Sequence, residues 1–115
     1  MARLGDLERT VMQVLWDAGA PLTGRDVATA LSRPDLAYTT VLTVLTRLEK
    51  KALVRRDSSS KAHSYTPVAS REDHVSELLG QALDQADNRL AALQHFARSM
   101  TPEEAAALRQ ALDGH

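Results

Sequence analysis

The stretch AYTTVLTVLTRLEKKALV, residues 37–54, decides how the chain is read. Val41, Val44, Leu45 and Leu48 recur at the i, i+3, i+4, i+7 spacing of one helical face. Yet Thr39, Thr40, Thr43 and Thr46 are β-branched, mediocre helix formers. At roughly 100° per residue, Val41, Val44, Leu45, Leu48 and Ala52 form one side of the helix. Thr39, Thr43, Thr46, Arg47 and Lys50 form the other, with Thr40 at its margin. A solvated face is ordinarily filled with Glu, Lys, Gln or Ala. Short side chains carrying a hydroxyl and a methyl instead suit a helix that enters the major groove of DNA. There a hydroxyl donates to a base acceptor or phosphate, and a methyl packs on a thymine methyl. Arg47 can pair with guanine or clamp a phosphate, while Lys50 and Lys51 stand where the helix leaves the groove. A bland alternative, that the threonines cap or merely tolerate a crowded helix, weighs most on Thr39 and Thr40 near the N-terminus.

The flanking segments fit such a helix into a larger unit. Residues 6–18 place Leu7, Val11, Val14, Leu15 and Ala18 on one stripe, with Asp6 as the expected N-cap. The GAPL segment, 19–22, breaks this helix. Thr23 and Asp26 open a second helix as a near capping box, running to about residue 32. RPDLA, 33–37, is a turn before a third helix over 38–51. Segments 53–56 and 63–66 then flank the polar turn DSSSK, a hairpin pattern with an exposed tip. Arg55, Arg56, Lys61 and His63 of this wing are placed to touch phosphates beside the groove, as is Arg25 in the second helix. Taken alone, the wing reads equally well as a hairpin with charged edges that guard against aggregation.

From Ser70 and Asp73 a helical pattern runs about 30 residues, with a kink expected in DQADNR, 84–89. Val75, Leu79, Ala82, Leu83, Ala86, Leu90, Leu93 and Phe96 lie on its apolar stripe. Thr101, Pro102 and Glu104 open a last helix that stops at Gly114. The expected fold is mainly α with a small β-hairpin wing: a winged helix-turn-helix over 1–69, then dimerisation helices over 70–115. The second segment cannot close a core by itself, so a symmetric copy would bury its stripe.

Charge separates the same two segments. Residues 1–70 carry 10 Lys/Arg against 7 Asp/Glu, whereas 71–115 carry 4 against 8. The net charge of −1 thus averages a basic part, suited to a polyanion, with an acidic one. No cysteine is present, which removes disulfides, thiol catalysis and zinc–thiolate sites. His63, His74, His95 and His115 lack a metal-ligand spacing, and Ser58–Ser60 lack a nearby base. The expectation is a protein without enzymatic activity, metal or cofactor. With no apolar run of about 18 residues and no signal-peptide pattern, it is read as cytoplasmic, without membrane insertion.

DLAYTTVLTVLTRLEKKALV followed by SYTPV, after LGDLERTVMQVLW, resembles the penicillinase-repressor and methicillin-resistance-repressor family of winged-helix transcription factors. The resemblance implies a homodimer that represses transcription at inverted-repeat operators in double-stranded DNA, often with TACA and TGTA half-sites. It implies that Thr39, Thr40, Thr43, Thr46 and Arg47 read DNA and that Arg55, Arg56 and Lys61 belong to the wing. In drug-responsive members, which govern β-lactam resistance genes, a membrane-bound zinc metalloprotease sensor triggers cleavage at an Asn–Phe bond. The matching pair here is His95–Phe96 in LQHFARS, with His in the Asn position. Copper-responsive relatives use a C-terminal cysteine cluster, which this chain lacks. Two other readings of the chain are a winged-helix protein-interaction module and a small-ligand-sensing regulator.

Overall fold

A computed structural model describes residues 4–114. The chain forms two compact units, one ending at His74 and the other beginning at Val75. In the first, α1 (Asp6–Ala18), α2 (Gly24–Leu31) and α3 (Tyr38–Lys50) stand with a three-stranded antiparallel sheet. Its strands are β1 (Leu22–Thr23), β2 (Val54–Asp57) and β3 (Ser64–Pro67), in the order β1-β3-β2. The hairpin strands lie about one residue later than the sequence pattern suggests. β1 is an addition: Leu22 pairs with Tyr65 and Thr23 with Ser64. Two residues after a proline carry no alternation, so only their partners reveal them as a strand.

The core collects the predicted stripes. Val11, Met12 and Leu15 of α1 meet Val27 of α2, Val41, Val44, Leu45 and Leu48 of α3, and Val54 and Tyr65 of the sheet. Fully burying a side chain such as Leu45 is worth about 1.5–3 kcal/mol, which fixes α3 by its apolar side and leaves the threonine side outward. Gly24 is buried at the start of α2 against α3; a Cβ there would stand 2.8 Å from Leu42 Cδ2.

Helix ends follow local chemistry. Thr23 and Asp26 close a reciprocal capping box on α2, Asp26 N–H to Thr23 Oγ1 at 3.1 Å and Thr23 N–H to Asp26 Oδ2 at 3.0 Å. The N-cap of α1 is Gly5 and not Asp6: the Gly5 N–H donates to Glu8 Oε1 at 2.8 Å, and Asp6 becomes the first helical residue. Ala52 also departs from expectation. It lies beyond the end of α3 in the left-handed region, φ 61°, and is exposed instead of extending the apolar side. The Ala52 N–H donates to Glu49 O and the Leu53 N–H to Leu48 O, both at 2.9 Å, which closes the helix in Schellman fashion.

The helical segment after residue 70 has a break where a kink was expected. It comprises α4 (Arg71–Asp84), α5 (Arg89–Ala97) and α6 (Pro102–Asp113). Ser70 Oγ accepts the Asp73 N–H at 3.0 Å, Asn88 caps α5, and Thr101 and Glu104 cap α6 reciprocally. The first turn of α4 groups with the winged helix, five residues past the 69/70 boundary drawn from sequence. Trp16 of α1 explains this: its Nε1–H donates to Ala69 O at 3.0 Å, the Arg71 guanidinium lies 5.6 Å from its ring and the His74 ring 5.4 Å. From Val75 onward no described residue is buried, and Val75, Leu79, Leu90, Leu93 and Phe96 are all exposed in the single chain. No helix among the described residues is long and apolar enough to cross a membrane.

Candidate nucleic-acid interface

The outer face of α3 carries Thr39, Thr40, Thr43, Thr46, Arg47 and Lys50, and all six are exposed. Two hydroxyl protons are already committed: Thr43 Oγ1 donates to Thr39 O and Thr46 Oγ1 to Leu42 O, each at 2.9 Å. This back-bonding lets threonine sit inside a helix. It also changes what the face offers, because outward these two residues present a methyl and an acceptor lone pair, not a donor. Of the two lysines at the helix exit, Lys50 is exposed, whereas Lys51 turns inward and pairs with Glu8 at 2.9 Å.

The wing residues separate in the same way. Arg55, Arg56 and Lys61 are all exposed. Arg56 Nε stands 3.6 Å from Glu49 Oε2 on α3, so its charge is partly matched within the chain. Arg25, Arg47, Lys50, Arg55 and Lys61 form no salt bridge among the described residues. At the wing tip the Ser59 N–H donates to Asp57 Oδ1 at 2.9 Å, and this bond holds the Asp57 carboxyl below its ordinary range.

Two clefts border α3. One, of about 270 Å³, brings Arg25, Lys61 and His63 together with Tyr38. The Arg25 guanidinium lies 5.1 Å from the Tyr38 ring centre, a cation–π contact. Tyr38 was not a candidate from sequence, although an aromatic at the first position of an outward-facing helix marks it. The other cleft, of about 340 Å³, is lined by Gly5, Asp6 and Glu8 of the α1 end and by Thr40, Thr43 and Arg47 of α3. Glu8 also went unnoticed, although it stands three, four and seven residues before the buried Val11, Met12 and Leu15, on the same face of α1, and is only 8% exposed. Burial raises its carboxyl, but the Gly5 N–H, the Lys51 hydrogen bond and the charges of Lys51 and Arg47 together bring it below the ordinary value.

The described residues hold no group of three or more His, Asp or Glu side chains arranged for a metal ion. His63 is exposed at the wing, His74 lies against Trp16 and His95 is exposed in α5; His115 lies outside the described residues.

Comparison with known proteins gives the family. The family model described as Penicillinase repressor matches residues 4–114. The chain belongs to the penicillinase repressor family. It is 52% identical over 116 residues to the transcriptional regulator BlaI of Mycobacterium tuberculosis, in strain CDC 1551 / Oshkosh and in strain ATCC 25618 / H37Rv. The match covers 97% of this chain and 84% of each relative. A penicillinase repressor is a regulator of transcription and not an enzyme, in keeping with the sequence reading. Solved structures agree on the fold. A MarR family protein from Bacillus stearothermophilus has a TM-score of 0.54 at 18% identity, covering 98% of this chain and 73% of that one. The complex structure of hsRosR-S4 has a TM-score of 0.55 at 20% identity, covering 91% and 92%. The winged helix of this family member is thus the sequence-predicted fold, with the wing's sheet extended by β1.

Proposed function

We propose that the protein is a homodimer that represses transcription in the cytoplasm by binding an inverted-repeat operator. α3 is its recognition helix, with Thr39, Thr40, Thr43, Thr46, Arg47 and Lys50 toward the bases and adjoining phosphates. Arg25, Arg55, Arg56 and Lys61 contact the backbone beside it. The observation that carries this reading is the fully exposed threonine–arginine face of α3, set opposite a buried apolar side and flanked by unmatched cations. Such a face is short enough to approach base edges, and the flanking cations supply the sequence-independent attraction.

The apolar residues of α4, α5 and the break between them form the dimer surface in this reading: Val75, Leu79, Ala82, Leu90, Leu93 and Phe96, all exposed, with the half-buried Leu83 and with Ala86, which the structure puts in the break and not on a helix. Two-fold symmetry then presents two recognition helices to half-sites about one DNA turn, 34–36 Å, or a multiple apart. The operator belongs to β-lactam-response or related stress genes, and a membrane metalloprotease sensor relieves repression by triggering cleavage at His95–Phe96. Both residues are exposed in the last turn of the nine-residue α5, where Phe96 O accepts the Ser99 N–H at 3.0 Å and Ser99 Oγ–H at 2.7 Å. A protease takes extended backbone, so this turn must open first, and a helix this short opens at low cost.

The test is fluorescence anisotropy with duplexes tiled across the gene's upstream region and a shuffled duplex as control, at low and physiological salt. One tile should bind tightly and lose affinity steeply with salt through counterion release. Arg47→Ala should weaken that tile by about 1–3 kcal/mol while the shuffled duplex changes little. Equal weak binding to every duplex would refute the reading.

A further inference from the structure

Glu8 is the only charged side chain buried among the described residues, and it stands on α1, a helix with no part in the proposed DNA contacts. Its Oε1 is doubly satisfied, by Lys51 Nζ at 2.9 Å and by the Gly5 N–H at 2.8 Å. Its Oε2 is buried and has no hydrogen-bond partner among the described residues. A carboxylate oxygen left this way is expensive, and native structures seldom leave one without a use. The neighbouring geometry supplies the use. Lys51 and Arg47 are four residues apart on the end of α3, so they share one edge of it. Lys51 takes Oε1 on that edge, and Arg47 lines the same cleft as Glu8.

We propose that Glu8 is a positioning residue for Arg47: in the operator complex Oε2 accepts one edge of the guanidinium while its other edge meets the DNA base. The inference rests on the reading of α3 as the recognition helix. A guanidinium carries five N–H donors in a rigid plane, so it can hold a carboxylate and a guanine at once, where a lysine cannot keep both geometries. Anchoring the plane lowers the ordering cost of a long flexible side chain and fixes the angle at which it meets the base edge. Glu8 therefore buys specificity, although its charge faces a polyanion.

The experiment is a four-cornered comparison on the full chain: wild type, Glu8→Gln, Arg47→Ala and the double variant. Each is titrated against the operator tile and the shuffled duplex. The readout is the ratio of the two affinities, which cancels any loss of folded protein because unfolding weakens both alike. Glu8→Gln should lower this ratio roughly fivefold in the wild-type background and leave it unchanged in the Arg47→Ala background. A ratio that is unchanged or raised by Glu8→Gln, as simple repulsion between Glu8 and phosphate would give, overturns the proposal. So does an equal fall in both backgrounds, which would mark Glu8 as structural only. If Arg47→Ala itself leaves operator affinity intact, the role of Arg47 fails, and the positioning role falls with it.

Discussion

Ala52 is a position where the backbone asks for glycine and the sequence supplies something else. Its φ of 61° lies in the left-handed region, held there by the hydrogen bonds that close α3. For an L-residue this region costs about 1–2 kcal/mol, whereas glycine, indifferent to the sign of φ, loses about 0.5–1 kcal/mol more on folding. With the two ranges paired low with low and high with high, the difference leaves about 0.5–1 kcal/mol in favour of Ala52→Gly. The methyl is exposed, so no packing is lost to offset this gain. In a domain of this size about 1 kcal/mol moves Tm by 4–8 °C, and the expected rise is about 2–8 °C. The assay is thermal unfolding of the full chain by circular dichroism at one fixed protein concentration, since an oligomer's Tm depends on concentration. Operator affinity should stay within about twofold, because Ala52 lies beyond the end of α3 and is not among the proposed DNA contacts. A Tm that falls or stays still would refute the strain argument and imply that the turn relaxes at no cost.

Two further expectations concern charge and assembly. Since the folded protein holds the Glu8 carboxyl below its ordinary value, the stability it contributes is present above the unfolded-state value and is lost as pH falls through the folded one. Tm should therefore fall as pH drops below about 4.5, and Glu8→Gln should flatten part of that fall; an identical acid slope in the variant would exclude Glu8 as a contributor. Leu90, 71% exposed in the single chain, lies on the proposed dimer stripe. Leu90→Asp should bury an unpaired carboxylate and weaken the dimer by at least about 2 kcal/mol, and a dimer persisting at micromolar concentration in sedimentation velocity would show that the interface is elsewhere.

What could be read from sequence was local in its chemistry. The capping boxes at Thr23 and Thr101 fixed where α2 and α6 begin, because both partners lie within four residues. The apolar spacing of α3 was visible for the same reason, and with it the outward set of threonines and arginine. What escaped depends on distant partners. β1 is a strand only because β3 arrives beside it. Glu8 on the inner face of α1 finds its counter-charge in Lys51, 43 residues away. The cap of α1 escaped for a local reason instead: Gly5 has no capping side chain to mark it, and its N–H donates to Glu8 three residues on. The proposed reading face divides along the same line: its members follow from a helical wheel, whereas the carboxylate beside Arg47 emerges only once α1 is laid against α3.

Thr23 belongs to two elements at once. Its backbone keeps register with Ser64 on β3, while its hydroxyl closes the first turn of α2. Leu53 plays a matching part at the far end of α3: its N–H bonds Leu48 O of the helix, and its carbonyl accepts the Val68 N–H at 3.0 Å. The segment around β3 is thus hydrogen-bonded to the first turn of α2 through Thr23 and to the end of α3 through Leu53. In the proposed dimer, a release signal acts on the gap between the two DNA-binding heads. With the DNA repeat fixed at about 34–36 Å, a change in that gap takes both heads out of step with their half-sites, and each head leaves intact.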